Sequence, residues 1–542
     1  MCKLTLIAGL CLVFASFASS TRLVCYYNSE AENRGGDGKF TISAIDPNKC
    51  THLIYAFSDI NNVNELVPSN AADLQRYQSF RSLKVSNPQL QTLLAVGGLT
   101  FNIRKFSTMA AAQQNRTVFI QSAINLLRAN GFDGLNLDWR YPGRAGSQPQ
   151  DKQRFTLLCK ELKEAFMAEG TSTNRDRLII TATVSAEKAI IDASYEVTQI
   201  AMYLDFINVM TFDFHGPWEN VTGHHSPLFR RAQDTGIDLY FNTDFAMRYW
   251  QTQGGPPQKL NLGLAAYGRA FDLSTASSVL GAPASGPGEE GCYTGEEGFW
   301  ASYETCLYIE GVNTQLIDDQ KVPFAVTENQ WVGFDDEESL KAKADYLKTN
   351  NFGGAFVWSL DLDDTTGQFC KMGKCPFVSQ LHTLLPQYNN HSKSPYHDRN
   401  NSPYDNHNSP YHNHSSHHNN SPYHDNNSPY HNHSLYHNNS PYHNLNNSPY
   451  HDNNSPYHDN NSPYHDNNSP YHDNNSPYHD NNSPYHDLNN SLYHDLNNSL
   501  YHDLNNSSYH NHNFTHYNIN NYKYSVSRNW KPLYRKDQWA LC

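Results

Sequence analysis

The run Asp133-Gly134-Leu135-Asn136-Leu137-Asp138-Trp139-Arg140-Tyr141-Pro142 alternates polar and apolar residues with a period of two. This is the period of a β-strand, whose successive side chains point to opposite faces. An amide, a carboxylate and a guanidinium (Asn136, Asp138 and Arg140) are therefore expected on one face, with Leu135 and Leu137 on the other. Such a polar row suits a barrel interior or the floor of an active site. Its last member limits the chemistry. Arginine has a pKa above ~12, so Arg140 can pair and bind but cannot serve as a proton donor.

The elements that must position this row are legible as short apolar runs separated by helical periodicity. Strands are expected at Leu23–Tyr27, His52–Phe57, Thr92–Gly97, Gly134–Asp138, Leu178–Val184, Phe206–Phe212, Leu260–Gly268 and Gly353–Asp361. They are rich in Val, Ile, Phe and Ala, as parallel strands buried on both faces are. Phe155, Leu158, Leu162 and Phe166 recur at helical spacing, with Gly170 as the expected C-cap. Eight such strand–helix units predict an α/β fold, a (β/α)₈ TIM barrel, over residues 21–388. The connection at about 269–335 is too long for a barrel loop. It holds Gly/Pro-rich turns, Tyr303–Ile309 and Val326–Phe334, before a helix near Asp336, and is expected to form a small α+β insertion.

The 542 residues carry a formal net charge of -14, which argues against a nucleic-acid partner. Residues 1–20 read as a secretory signal peptide: Lys3, an apolar run from Leu4 to Phe17, and the small residues Ala18-Ser19-Ser20. That run is shorter than the ~20 residues of a membrane-spanning helix. No later stretch is long and apolar enough to span. A secreted, soluble glycoprotein is expected. Cys2 and Cys11 leave with the signal, and the remaining cysteines match no zinc spacing, so disulfides are expected in an oxidising compartment. Cys159 falls in an amphipathic helix as a candidate buried thiol. Partners of Cys292, Cys375 and Cys542 stay open.

From about Asn389 aliphatic residues nearly vanish. Residues 453–487 repeat Asn-Asn-Ser-Pro-Tyr-His-Asp, and an eight-residue unit containing Leu follows through Tyr509. Units this short and polar cannot bury a core, so 389–522 is expected to be a low-complexity, disordered tail. Residues 523–542 form a short basic, aromatic C-terminus. Bulk, hydration and glycosylation are the expected roles of the repeats; pH response of the recurring His is a second reading. Their spacing fixes no tetrahedral metal geometry, and no cofactor is expected. Glycosylation acceptors are Asn115, Asn220, Asn489, Asn497 and Asn505.

The run around Arg140 resembles the signature of glycoside hydrolase family 18, the chitinases: D-G-x-D-x-D-W-E-Y-P. His52-Leu53-Ile54-Tyr55-Ala56-Phe57 and Gly353-Gly354-Ala355-Phe356-Val357-Trp358-Ser359-Leu360-Asp361-Leu362-Asp363-Asp364 look like those of vertebrate acidic chitinases. The resemblance covers residues 1 to about 386. It implies the barrel, an insertion walling the cleft, and disulfides Cys25–Cys50 and Cys306–Cys370. The barrel-plus-repeats layout resembles the oviduct-specific glycoproteins. The implied chemistry is retaining hydrolysis without a protein nucleophile: the substrate's N-acetyl oxygen attacks, the signature Glu protonates the leaving oxygen, and the neighbouring Asp orients the acetamide. A Tyr of the sixth strand bonds the acetamide, and a Trp of the eighth floors the sugar.

Carried over residue by residue, Phe57, Asp138, Tyr141, Met210, Asp213, Trp218, Tyr267 and Trp358 match the family. Five positions depart. Arg140 stands for the acid, Asn136 for the inner Asp, Phe212 for the acetamide-binding Tyr, and Leu99 and Glu30 for cleft Trp residues. A general acid is worth ~10²–10⁴ in rate, and a fixed cation opposes an oxocarbenium-like transition state. Arg140 is expected to be held by Asp138, Asp213 or both, or else to swing out into solvent. Three readings stand: an inactive protein that binds chitin or chito-oligosaccharides weakly through Trp358 and Tyr267; an active hydrolase whose acid is Glu219 or Asp213; and a structural glycoprotein whose tail does the work, Trp358 and Tyr267 being core residues. Turnover of a chitobioside separates the second from the others, and retention on chitin separates the first from the third. The oligomeric state stays open.

Overall fold

The computed structural model describes residues 21–144 and 146–385. Eight strands form a closed parallel barrel: β1 Arg22–Asn28, β2 His52–Ile60, β3 Gln91–Gly97, β4 Gly134–Asp138, β5 Ile179–Ser185, β6 Phe206–Met210, β7 Leu260–Ala265 and β8 Gly354–Trp358. Each pairs in parallel with its neighbours, and β8 closes on β1 with Leu23 opposite Ala355. Period-two alternation divides each strand between two apolar cores. Leu23, Cys25 and Tyr27 face the helical layer, as do Leu135 and Leu137. Val24, Tyr26, Ile54, Leu93, Ala95 and Phe356 fill the barrel interior. Full burial of each large apolar side chain contributes about 1.5–3 kcal/mol before entropy is counted.

Three expected strands end early or split. β6 stops at Met210 because the Thr211 side chain takes over the ladder: its hydroxyl donates to the Gly263 carbonyl at 2.8 Å and accepts from the Gly263 amide at 2.9 Å. The Leu260–Gly268 run divides at Ala266, whose amide makes the last rung to Trp358 O at 2.9 Å. Tyr267–Leu273 then opens a second sheet. β8 gives way to a 3₁₀ turn at Leu360–Leu362. The helix Asp151–Thr173 buries Phe155, Leu158, Leu162 and Phe166, but Gly170 does not cap it. The chain turns instead at Asn174 in the left-handed conformation, and Gly170 is an interior residue packed closely on Arg175 and Arg177.

The second sheet is antiparallel, in the order Ala284–Pro287, Tyr267–Leu273, Gln330–Gly333, Val322–Thr327, Gln315–Ile317, with Phe299–Ala301 also paired to Tyr267–Leu273. The helix Ser302–Tyr308 follows directly. Two small cores hold this unit together, one around Trp300 and Val332, the other around Phe271, Phe324 and Trp331. Disulfides join Cys25 to Cys50 and Cys306 to Cys370. Cys159 is a buried free thiol, and burial raises its pKa. Among the described residues, no helix is long and apolar enough to cross a membrane. The expected tail, its repeats and the leader lie outside the described residues.

One glycine fixes how β3 meets the end of β4. Gly97 has φ +115°, and a Cβ there would sit 1.9 Å from the Asp138 carbonyl oxygen. That same oxygen accepts from the Gly98 amide at 3.0 Å. Only glycine combines this dihedral with this approach, and the backbone of Asp138 is placed by it.

Candidate functional site

The site lies at the carboxyl ends of the barrel strands, where (β/α)₈ folds gather functional groups. Asp138, the last residue of β4, has a fully buried side chain. Arg140 lies just beyond the strand and clamps it bidentately, Nε to Oδ1 at 2.8 Å and Nη2 to Oδ2 at 2.9 Å. Burial opposes the guanidinium charge, but Asp138 outweighs it, and the Arg140 pKa is raised above its ordinary value. The side chain keeps 18% of its exposure, and Nη1 has no protein hydrogen-bond partner among the described residues. Arg140 therefore neither swings free nor reaches Asp213.

Asn136, one layer deeper, joins a neutral network. It accepts from the Tyr26 hydroxyl at 3.1 Å and from Thr183 at 3.2 Å, and its amide donates to Thr181 Oγ1 at 2.9 Å. The Tyr26 and Thr183 hydroxyls also lie within hydrogen-bonding distance of each other, so their two protons are shared over three oxygen–oxygen contacts. Burial raises the Tyr26 pKa. Every polar group of Asn136 is thus matched by an uncharged partner, and none of these groups can accept a negative charge cheaply.

Asp213 follows β6 in the left-handed region, φ 59°. Its partner is Arg269 of the second sheet, at 2.9 and 3.1 Å. Burial would raise the Asp213 pKa, yet Arg269 beside it holds the carboxyl below the usual range. His225 Nδ1 lies 3.8 Å from Asp213 Oδ1. His225 is fully buried, and burial lowers its pKa. Arg269 also reaches Glu296 at 3.3 Å and lies over the rings of Phe299, Tyr267 and Trp218 at 5.1, 5.3 and 5.5 Å. It is the cationic hub of this wall.

The remaining expected site residues line the mouth in aromatic order. Phe57 and Trp358 stack at 5.9 Å, and Tyr26 tilts against Trp358 at 5.2 Å. Phe212 fits between Tyr267 at 6.1 Å and Phe356 at 5.8 Å. Met210 is buried in the interior core, while Trp218 is 53% exposed on the rim. Tyr141 packs on the same core, and burial pushes its hydroxyl up to about 12. Leu99 and Glu30 are exposed. Glu219 accepts from His215 Nδ1 at 3.1 Å and from the Gly216 amide at 3.2 Å. Asn220 is exposed, whereas Asn115 lies in the helix Gln113–Asn130 with its amide donating to Thr108 O at 3.0 Å. Asn489, Asn497 and Asn505 fall outside the described residues. Among the described residues no cluster of three or more His, Cys, Asp or Glu is placed to hold a metal ion.

The sequence profile of the glycosyl hydrolases family 18 matches residues 22–363. The chain belongs to family 18. Chitotriosidase-1 of Mus musculus is 46% identical over 385 residues, 71% of this chain and 82% of the relative. The oviduct-specific glycoprotein of Sus scrofa is 44% identical over 388 residues, 71% of this chain and 72% of the relative. A solved structure of human YKL-39, described as a pseudo-chitinase with retained chitooligosaccharide binding properties, superposes with a TM-score of 0.65. It is 43% identical and covers 68% of this chain and all (100%) of its own.

In this family 18 barrel, sequence reasoning missed the partners rather than the positions. Arg269 stands two residues after Tyr267 on one strand, so period two already put both on one face. Glu296, His225, Tyr26, Thr181 and Thr183 carry no such local signal. Their contacts span gaps from 12 to more than 100 residues along the chain.

Proposed function

We propose that this family 18 chain is a secreted, catalytically inactive chitinase-like protein that binds short N-acetylglucosamine oligomers weakly. The observation that carries the reading is the bidentate Arg140–Asp138 pair. It puts a permanent cation where the family signature has its proton donor, and it uses both oxygens of the carboxylate that would orient the acetamide. Phe212 offers a ring edge where the family presents a hydroxyl. The other carboxyl groups of the mouth are poor substitutes: Arg269 keeps Asp213 ionised, and Glu219 is occupied by His215 and a backbone amide. Binding is supported by the Phe57–Trp358 stack, since an aromatic face is what a pyranose ring packs on, and by the retained binding described for the YKL-39 relative. With Leu99 and Glu30 at two cleft positions the groove is short of stacking rings, so affinity is modest. The leader at 1–20 supports secretion, and the repeats at 389–522 a hydrated, glycosylated spacer ending in the basic 523–542 segment.

The test uses the purified full chain. Hydrolysis of a fluorogenic chitobioside is expected at background, with retention on chitin and weak binding of the N-acetylglucosamine tetramer. Turnover at the rate of an active family member would overturn the inactivity. No retention on chitin and no oligomer binding would leave the barrel as a structural head for the tail.

A further inference from the structure

Cys25–Cys50 and Cys306–Cys370 are paired, and Cys159 and Cys375 are the free thiols among the described residues. Cys292 belongs to neither group. It is disulfide-bonded, and its partner lies outside the described residues. Only Cys2, Cys11 and Cys542 lie there. Cys2 and Cys11 fall in the expected leader and leave with it. Cys542 remains.

The surroundings of Cys292 suit a fixed anchor. It packs, half-buried, on the small core around Trp300 and Val332. Its amide donates to the Tyr308 hydroxyl at 2.7 Å, and that hydroxyl donates to Cys292 Sγ at 2.8 Å. Buried Glu304 pins the turn beside the sulfur. It accepts from the amides of Tyr293, Thr294 and Ala301 at 2.7, 2.9 and 2.8 Å, and from the Thr294 hydroxyl at 2.9 Å. The free thiols are poor rivals for the bond. Cys159 is fully buried in the helix Asp151–Thr173, within the core. Cys375 is half-buried, and burial pushes its thiol up to about 12, so it stays protonated and slow in exchange.

We propose that Cys292 and Cys542 form a third disulfide, which fastens the end of the repeat tail to the unit of the second sheet. As the Sγ–Sγ bond forms, the two thiols give up two protons and two electrons. A dithiol–disulfide oxidoreductase of the secretory compartment takes them up, its own disulfide opening to a dithiol. The bond closes residues 293–541 into a loop. The repeats at 389–522 are then held at both ends, and a single cut among them releases nothing. The inference rests on the secretion reading above and is independent of glycan binding.

Peptide mapping of the full chain exported from eukaryotic cells tests it. The protein is denatured without reductant, alkylated, and digested with trypsin and a glutamate-specific protease. The second enzyme cuts after Glu290 and Glu296 and so parts Cys292 from Cys306. Mass spectrometry should find peptide 291–296 joined to peptide 537–542, with Cys159 and Cys375 alkylated. Cys542→Ser should free Cys292 and raise the alkylated cysteines from two to three. A protease site inserted within the repeats should give, once cut, one full-length band without reductant and two bands with it. Cys292 alkylated in the wild type, joined to another cysteine of the chain, or joined to a second chain overturns the pair and leaves the secretion reading intact. Failure of export overturns both.

Discussion

Replacing Arg140 by glutamate returns the signature acid, and the structure predicts that this alone restores little. A general acid is worth ~10²–10⁴ in rate. However, the side-chain hydrogen bonds of Asp138 among the described residues both come from Arg140, and that side chain is fully buried. In Arg140→Glu two carboxyl groups face each other at this depth without a cation, so they cannot both ionise. The proton they share cannot be passed inward, because Asn136 is already matched by Tyr26, Thr181 and Thr183. Phe212 still contributes no hydroxyl. The single variant is therefore expected to gain at most about tenfold, a small part of the general-acid term. Adding Asn136→Asp gives the shared proton a second site, and Phe212→Tyr adds a hydrogen bond to a charged intermediate, worth ~1.5–3 kcal/mol or ~10–100-fold. The triple variant should exceed the single by at least that factor. The assay is kcat/KM on a fluorogenic chitobioside, beside an active family member and with thermal unfolding as a check on folding. If Arg140→Glu alone reached the rate of that reference enzyme, the account of Asn136 and Phe212 would be wrong.

Three further outcomes follow from the same contacts. Asp138→Asn leaves the half-buried guanidinium without its counter-charge and should cost about 1–3 kcal/mol, less than the ~3–5 kcal/mol of a fully buried broken pair because Arg140 keeps some solvent; denaturant midpoints measure it. Asp213→Asn removes a carboxylate whose folded pKa lies below its unfolded value. Such a group stabilises the fold above the unfolded value and loses that contribution as pH falls through the folded one. The variant should therefore unfold at lower temperature than wild type at neutral pH, with the gap closing as pH drops below ~4; a gap that widened in acid would contradict the Arg269 pairing. Gly97→Ala sets a Cβ against the Asp138 carbonyl at a dihedral L-residues rarely adopt. A loss above ~3 kcal/mol is expected, read as failure to accumulate folded protein.

The barrel was legible because its strands announce themselves twice, by apolar runs and by the alternation that sorts Leu23 and Cys25 from Val24 and Tyr26. Where elements end was harder. No polar break marks Ala266, so one run concealed two strands of different sheets. Gly170 reads as a stop, yet it stands inside the helix, where the backbone of Arg175 and Arg177 passes close to it, and the left-handed turn falls at Asn174. At the site, the Arg140–Asp138 contact was foreseeable from two-residue spacing. The pairing of Asp213 with Arg269, 56 residues away, was not, and neither was the neutral network around Asn136, which draws on β1 and β5.

The Asp213–Arg269 ion pair ties the segment just past β6 to the strand that opens the second sheet, so the insertion is anchored to the barrel by charge as well as by its covalent connection. Removing either partner would loosen that anchor without touching the apolar cores of the two sheets.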